Sequence, residues 1–283
     1  KMIYVSSACS KKTNIRASVL DIVSAGIQNI ELSGGTEYSE TLENDLIELQ
    51  LKHNLNFLLH NYFPPPQKHF VLNLASENQG IREKSLKHIK NAINLSEKLK
   101  AFKYGVHAGF FIDPNVNELG KNIDIKKISG TETGTSNFVD SFLMLNNSKT
   151  DVKLYIENNV ISKNNYTNFA GNPFMLTNSE SFNQLQKKIN FNLLLDVAHL
   201  KVSCNSLNLR FEKELQYLLS KTDYIHLSDN CGQVDSNNAI TKDSEMFRSL
   251  KKNNLKNKTI CLEIYSGLNE VLKTIELLKP LVV

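Results

Sequence analysis

Seven side chains in this sequence have the types and spacing to do metal chemistry together. His60 lies in LLHNYF, His107 in GVHAG, Glu157 in YIENN, Asp196 and His199 in LLDVAH, His226 in IHLSD and Glu263 in LEIY. Each segment is a short apolar run that ends on an ionisable residue. One histidine in such a place is most often a hydrogen-bonded core residue, but six consecutive runs ending this way are hard to attribute to packing. Gathering three carboxylates and four imidazoles away from water is costly without a cation, because isolated buried charges are strongly unfavourable. The mixed nitrogen and oxygen set suits Mn²⁺, Zn²⁺, Co²⁺ or Fe²⁺, and no thiolate lies among the ligands.

Such residues meet only if the runs are strands presenting the same end to one mouth. Eight short runs, rich in β-branched and aromatic residues, occur at 2–6, 29–33, 56–61, 103–108, 152–158, 191–197, 223–228 and 259–265. Each is too short for a helix and is followed by a polar or Gly-bearing turn. Amphipathic stretches separate them at 14–25, 80–100, 136–145, 179–188, 209–220, 243–252 and 268–278, with apolar residues at the helical period. Strand–helix alternation of this kind predicts an α/β fold, a TIM (β/α)₈ barrel forming one domain over 1–283. A doubly wound open sheet would show fewer strands and a Gly-rich first turn. The loops 110–134 and 160–177 are longer than a barrel needs and are expected to shape a substrate pocket.

The bulk composition narrows the function class. A net charge of +4 over 283 residues is mild and calls for neither nucleic acid nor an anionic membrane. Cys9, Cys204, Cys231 and Cys261 show no CxxC spacing, so reduced thiols in a cytoplasmic protein are expected. No apolar run approaches the roughly 20 residues of a membrane span. The enrichment in Asn and Lys fits an AT-rich bacterial genome.

The motifs resemble the xylose isomerase-like TIM barrels, the group of sugar and sugar-phosphate isomerases and epimerases that also contains endonuclease IV. The resemblance covers nearly the whole chain and is most specific at ENN, DVAH, HLSD and LE. It implies one metal site made by Glu157, Asp196, His226 and Glu263. It also implies that Glu157 and Glu263 transfer protons from opposite faces of a keto sugar, with an enediolate stabilised by the ion. His60, His107, His199 and Asp229 would then contact substrate. In the nuclease branch His60 and His107 would instead hold a second ion.

Several features bear on the choice between the branches at this level. The stretch NLASENQGIREKS (73–85) is similar to endonuclease IV and reads as a helix start with a shared packing surface. Against the nuclease, the D-x-H pair that completes its metal cluster is replaced by Asp235-Ser236-Asn237, and no histidine follows His226. The loop Ser33–Tyr38 lacks the Arg and large aromatic that the nuclease inserts into DNA, and no basic stripe is concentrated anywhere. The loop after the seventh strand carries Cys231-Gly232-Gln233, without the Arg usual in the epimerases. The expectation is an isomerase or epimerase with a small-molecule sugar substrate and one Mn²⁺, Zn²⁺ or Co²⁺. An abasic-DNA phosphodiesterase is the alternative, a lyase acting through the same enolate is a variant, and a homodimer is left open.

Overall fold

The apolar runs of the sequence become eight parallel strands that close on themselves in chain order. The computed structural model describes residues 3–124 and 128–282. Met2, expected at the start of the first strand, and residues 125–127 of the long loop lie outside the described residues. The strands are β1 (Ile3–Ser6), β2 (Asn29–Leu32), β3 (Asn56–His60), β4 (Lys103–His107), β5 (Lys153–Glu157), β6 (Asn192–Asp196), β7 (Tyr224–Leu227) and β8 (Thr259–Leu262). β1 pairs with both β2 and β8, so no edge remains. The expected TIM barrel is the fold.

Around the sheet run α1 (Ile15–Ser24), α2 (Leu42–His53), α3 (Gln79–Lys98), α4 (Thr131–Asn146), α5 (Lys163–Asn168), α6 (Ser179–Gln186), α7 (Val197–Leu207), α8 (Phe211–Leu219), α9 (Glu245–Lys251) and α10 (Leu268–Val282). Their starts follow local chemistry. Asn14, Asn78, Ser162 and Ser244 each cap a helix by accepting a backbone N–H near its first turn, which satisfies a donor the helix itself leaves unpaired. Three helices were not expected. In α2 only Leu42, Leu46 and Leu49 are buried, a stripe too thin to stand out among its polar residues. α5 is a single short turn region within the loop after β5. α7 buries both faces, from Val197 through Ser206, so it has no polar contrast and reads as a continuation of the β6 run.

The barrel interior is stacked in layers. Tyr4, Leu58, Tyr155, Leu194, Tyr224 and Cys261 form one closed apolar layer. Residues two positions further along the same strands point the same way, which lifts Ser6, His60, Glu157, Asp196, His226 and Glu263 to the next level, at the C-terminal mouth. β4 contributes Gly105 beside that apolar layer, and here the glycine is required. A Cβ on Gly105 would come 2.6 Å from Leu194 Cδ2 and 3.0 Å from His60 Cδ2.

Candidate metal centre

Strand register sets which side chains meet. His107 pairs with Glu157, Asp196 with His226, and His226 with Cys261. Glu263 lies one residue beyond β8, level with the mouth. Glu157 and His226 are fully buried, and Asp196 is 1% exposed. One donor atom each from Glu157, Asp196, His226 and Glu263 fall within 4.8 Å of one another, as do donors from His60, His107 and Glu157.

Glu157 serves both groups with different oxygens. Its Oε2 lies 2.6 Å from His60 Nε2 and 3.2 Å from His107 Nε2. Its Oε1 lies 3.4 Å from His226 Nδ1, which is also 3.4 Å from Glu263 Oε2. Glu157 Oε1 and His226 Nδ1 are both buried without a hydrogen-bond partner. Orphaned buried polar atoms are expensive, and two facing each other among carboxylates fit the donor set of a divalent cation. The residues present therefore suit the ion that the sequence implied.

The far side of His226 is held by a residue that the sequence reading passed over. Its Nε2 lies 3.0 Å from Glu31 Oε1, and the same carboxylate accepts from the Tyr224 hydroxyl. Glu31 is fully buried. Because the barrel strands are staggered, Glu31 pairs with Leu58 on one side and with Ser6 on the other, and its carboxylate comes within 4.8 Å of donors from His60, His226 and Glu263. A carboxylate behind a ligating imidazole fixes its tautomer, with the outer N–H donating and the inner nitrogen free for an ion.

The motif residues between the ligands have mechanical jobs. Asp196 caps α7, its Oδ1 accepting from the His199 backbone N–H at 2.8 Å. Asn158 of ENN accepts from the Asp196 N–H at 2.7 Å, and its carbonyl holds His199 Nδ1 at 2.9 Å. Asn159 donates to the Ala108, Gly109 and Met175 carbonyls, joining the loops after β4 and β5. The NLAS segment works likewise. Asn73 donates to Phe110, Ile112 and Asp113 and accepts from the Phe110 and Ala75 N–H groups.

Charge in the centre is redistributed by burial and proximity. Burial would raise Glu157, yet His107 and His60 outweigh it and hold this carboxyl well below its usual range. Glu263 is lowered to about 2 against its own burial, chiefly by His226. Asp196 is pushed up to about 7 by burial, with His199 countering only part of the rise. His226 and His199 are raised against desolvation by the carboxylates facing them, and desolvation lowers His107 to about 4.

A cavity of about 1210 Å³ opens above this floor, lined by His60, His107, His199, Asp235 and Glu263 at its base. Asp235 Oδ2 lies 3.3 Å from His199 Nε2, so the loop aspartate noted as the remnant of a D-x-H pair does reach the centre. Asn237, at the histidine position of that pair, donates to Asp235 and accepts from Ser228. Asp229 does not join them. Its carboxylate takes an ion pair from Lys201 at 2.9 Å and the Asn230 N–H, and it is absent from the cavity lining. In this structure Asp229 anchors its loop to Lys201, and the substrate contact expected of it stays a proposal. Among the described residues no helix is long and apolar enough to cross a membrane.

Comparisons with known proteins agree with this architecture. The family model described as xylose isomerase-like TIM barrel matches residues 19–281. No curated protein matches the chain. Among solved structures, a D-tagatose 3-epimerase-like protein superposes with a TM-score of 0.71 at 20% identity, over 99% of this chain and 96% of that one. 3-Keto-D-glucoside 4-epimerase from E. coli gives 0.66 at 12% identity, over 99% of both chains. Endonuclease IV from Thermus thermophilus gives 0.61 at 14%, over 99% of this chain and 98% of that one. At these identities the likeness is one of fold.

Proposed function

Because the chain belongs to the xylose isomerase-like TIM barrel family, we propose that it is a divalent-metal-dependent isomerase or epimerase acting on a small sugar by proton transfer α to a carbonyl. Glu157, Asp196, His226 and Glu263 hold the ion. When bound, the ion supplies Lewis-acid polarisation of a substrate carbonyl oxygen. Glu157 and Glu263 face the substrate from its two sides: the one that is a carboxylate takes the α proton, and the other, carrying a proton, returns it to the opposite face of the enediolate. His199, held at Nδ1 by the Asn158 carbonyl, turns Nε2 to the cavity, where a substrate oxygen takes its hydrogen bond in place of Asp235. His60 and His107 line the same floor.

The observation that carries this reading is the enclosure of the floor. The loops after β4 and β5 pack into a wall with its own apolar cluster, and such a walled cavity favours a small molecule over a duplex. The test is solvent exchange. Protein reconstituted with Mn²⁺ is incubated in D₂O with a panel of free and glycosylated keto sugars, and deuterium α to the carbonyl is followed by NMR. Exchange that falls at least a hundredfold in Glu157→Gln and Glu263→Gln is expected. No exchange with any sugar, together with cleavage of an abasic-site oligonucleotide, would replace the reading with phosphodiester hydrolysis. That second reading has one observation in its favour: the His60–Glu157–His107 group has the donors for a second ion.

A further inference from the structure

We infer that the substrate is a neutral glycosylated keto sugar whose second ring or aglycone lies in an apolar outer chamber of the cavity. This rests on the isomerase reading of the floor and names its substrate class. The first ground is size. A volume of about 1210 Å³ exceeds the roughly 300–1,000 Å³ that encloses a drug-sized ligand, whereas a single hexose is a much smaller molecule.

The second ground is the construction of the wall. Ile112, Ile123, Ile161, Phe169 and Phe174 form a cluster separate from the barrel core. Phe110 and Phe174 meet edge-on at 5.3 Å and are joined by an antiparallel bridge. The chamber is therefore bounded by packed structure. Its apolar lining is left open: Val116, Val234 and Tyr265 are 47%, 55% and 40% exposed, and all three face the cavity. Apolar side chains left uncovered around one concavity mark a binding surface.

Charge supplies the third ground. Among the described lining residues the Lys and Arg side chains are Lys121 and Lys163, both exposed. Lys163 is already turned to the Ser206 carbonyl and the Tyr166 ring. A phosphate or nucleotide in the chamber would lack the buried counter-charge that such groups require.

The test compares neutral probes on Mn²⁺-loaded protein. NMR titration is expected to give phenyl β-D-glucoside at least tenfold tighter binding than methyl β-D-glucoside. Val116→Asp, an exposed change in the loop after β4, should reduce that preference to under threefold. In the exchange assay, isomaltulose should exceed D-fructose at least tenfold in kcat/KM. Equal affinities for the two glucosides, or D-fructose turned over as well as isomaltulose, would overturn the inference while leaving the isomerase reading intact. A phenyl preference without exchange on any keto sugar would uphold the chamber and sink the isomerase reading instead.

Discussion

Replacing Glu31 by Gln asks whether His226 is oriented for an ion or is simply a packed core histidine. Glu31 Oε1 and Oε2 lie 3.0 and 3.1 Å from His226 Nε2, in a layer with no solvent access. Gln keeps the shape and an acceptor for the imidazole N–H, but removes the charge that favours the tautomer with Nδ1 free. Losing such an outer partner typically weakens metal binding by about 10–100-fold, or roughly 1.4–2.8 kcal/mol at 1.4 kcal/mol per decade. Competition against a chromophoric chelator, with Mn²⁺ or Zn²⁺, measures the dissociation constant directly. Thermal unfolding with and without the ion gives an independent value, since a ligand that binds only the folded state stabilises it by RT ln(1 + [L]/Kd). An affinity within twofold of wild type would refute the argument that Glu31 sets the ligating face of His226.

Other consequences are as direct. Because His226 is raised and Asp196 stands at about 7, the ion must displace protons at neutral pH, so affinity falls as pH falls. Calorimetry in buffers of different ionisation enthalpy should show at least one proton released per ion at pH 7, and none released would contradict the assignment. Asp196, raised from 3.8 to about 7, favours its protonated form on folding. It therefore costs the metal-free protein stability as pH rises across that window. Asp196→Asn keeps a good helix cap and should stabilise the metal-free protein at pH 8, by about 2–4 kcal/mol on the scale of 1.36 kcal/mol per pKa unit, while abolishing metal binding; a lower melting temperature would sink this. Asn73→Ala breaks the clamp between the loops after β3 and β4 and should cost about 2–4 kcal/mol in urea unfolding, at 1–3 kcal/mol per orphaned buried partner. Gly105→Ala pushes on Leu194 and His60 and should cost about 1–3 kcal/mol, a neutral outcome meaning that the floor can yield.

The architecture was legible because a barrel writes itself as repeated apolar runs, and the proposed ligands could be picked out because each stands at or near the end of one. What could not be read was anything set by stagger. Glu31 lies inside its run, two residues short of the turn, and only the offset between β2 and β3 brings it beside His226. The signal available was a carboxylate set between Ile30 and Leu32 in a short strand, which a buried position tolerates only with a partner. Asp229 follows His226 in HLSD, and its ion pair with Lys201 joins two segments that spacing does not place together. α7 was hidden because a helix buried on all sides loses the polar period by which helices are recognised. The NLAS and ENN segments announced themselves as unusual, yet their work as loop clamps depends on carbonyls of distant segments that spacing does not place together.

The central claim is that Glu157, Asp196, His226 and Glu263 hold one resident divalent ion. Elemental analysis of purified, Mn²⁺- or Zn²⁺-reconstituted protein tests it most directly, with wild type beside His226→Ala and the double change His60→Ala/His107→Ala. The account predicts about one ion per chain in wild type and in the double variant, and none in His226→Ala. No ion in wild type after reconstitution would contradict it outright, and two ions falling to one in the double variant would shift the site to the dinuclear reading.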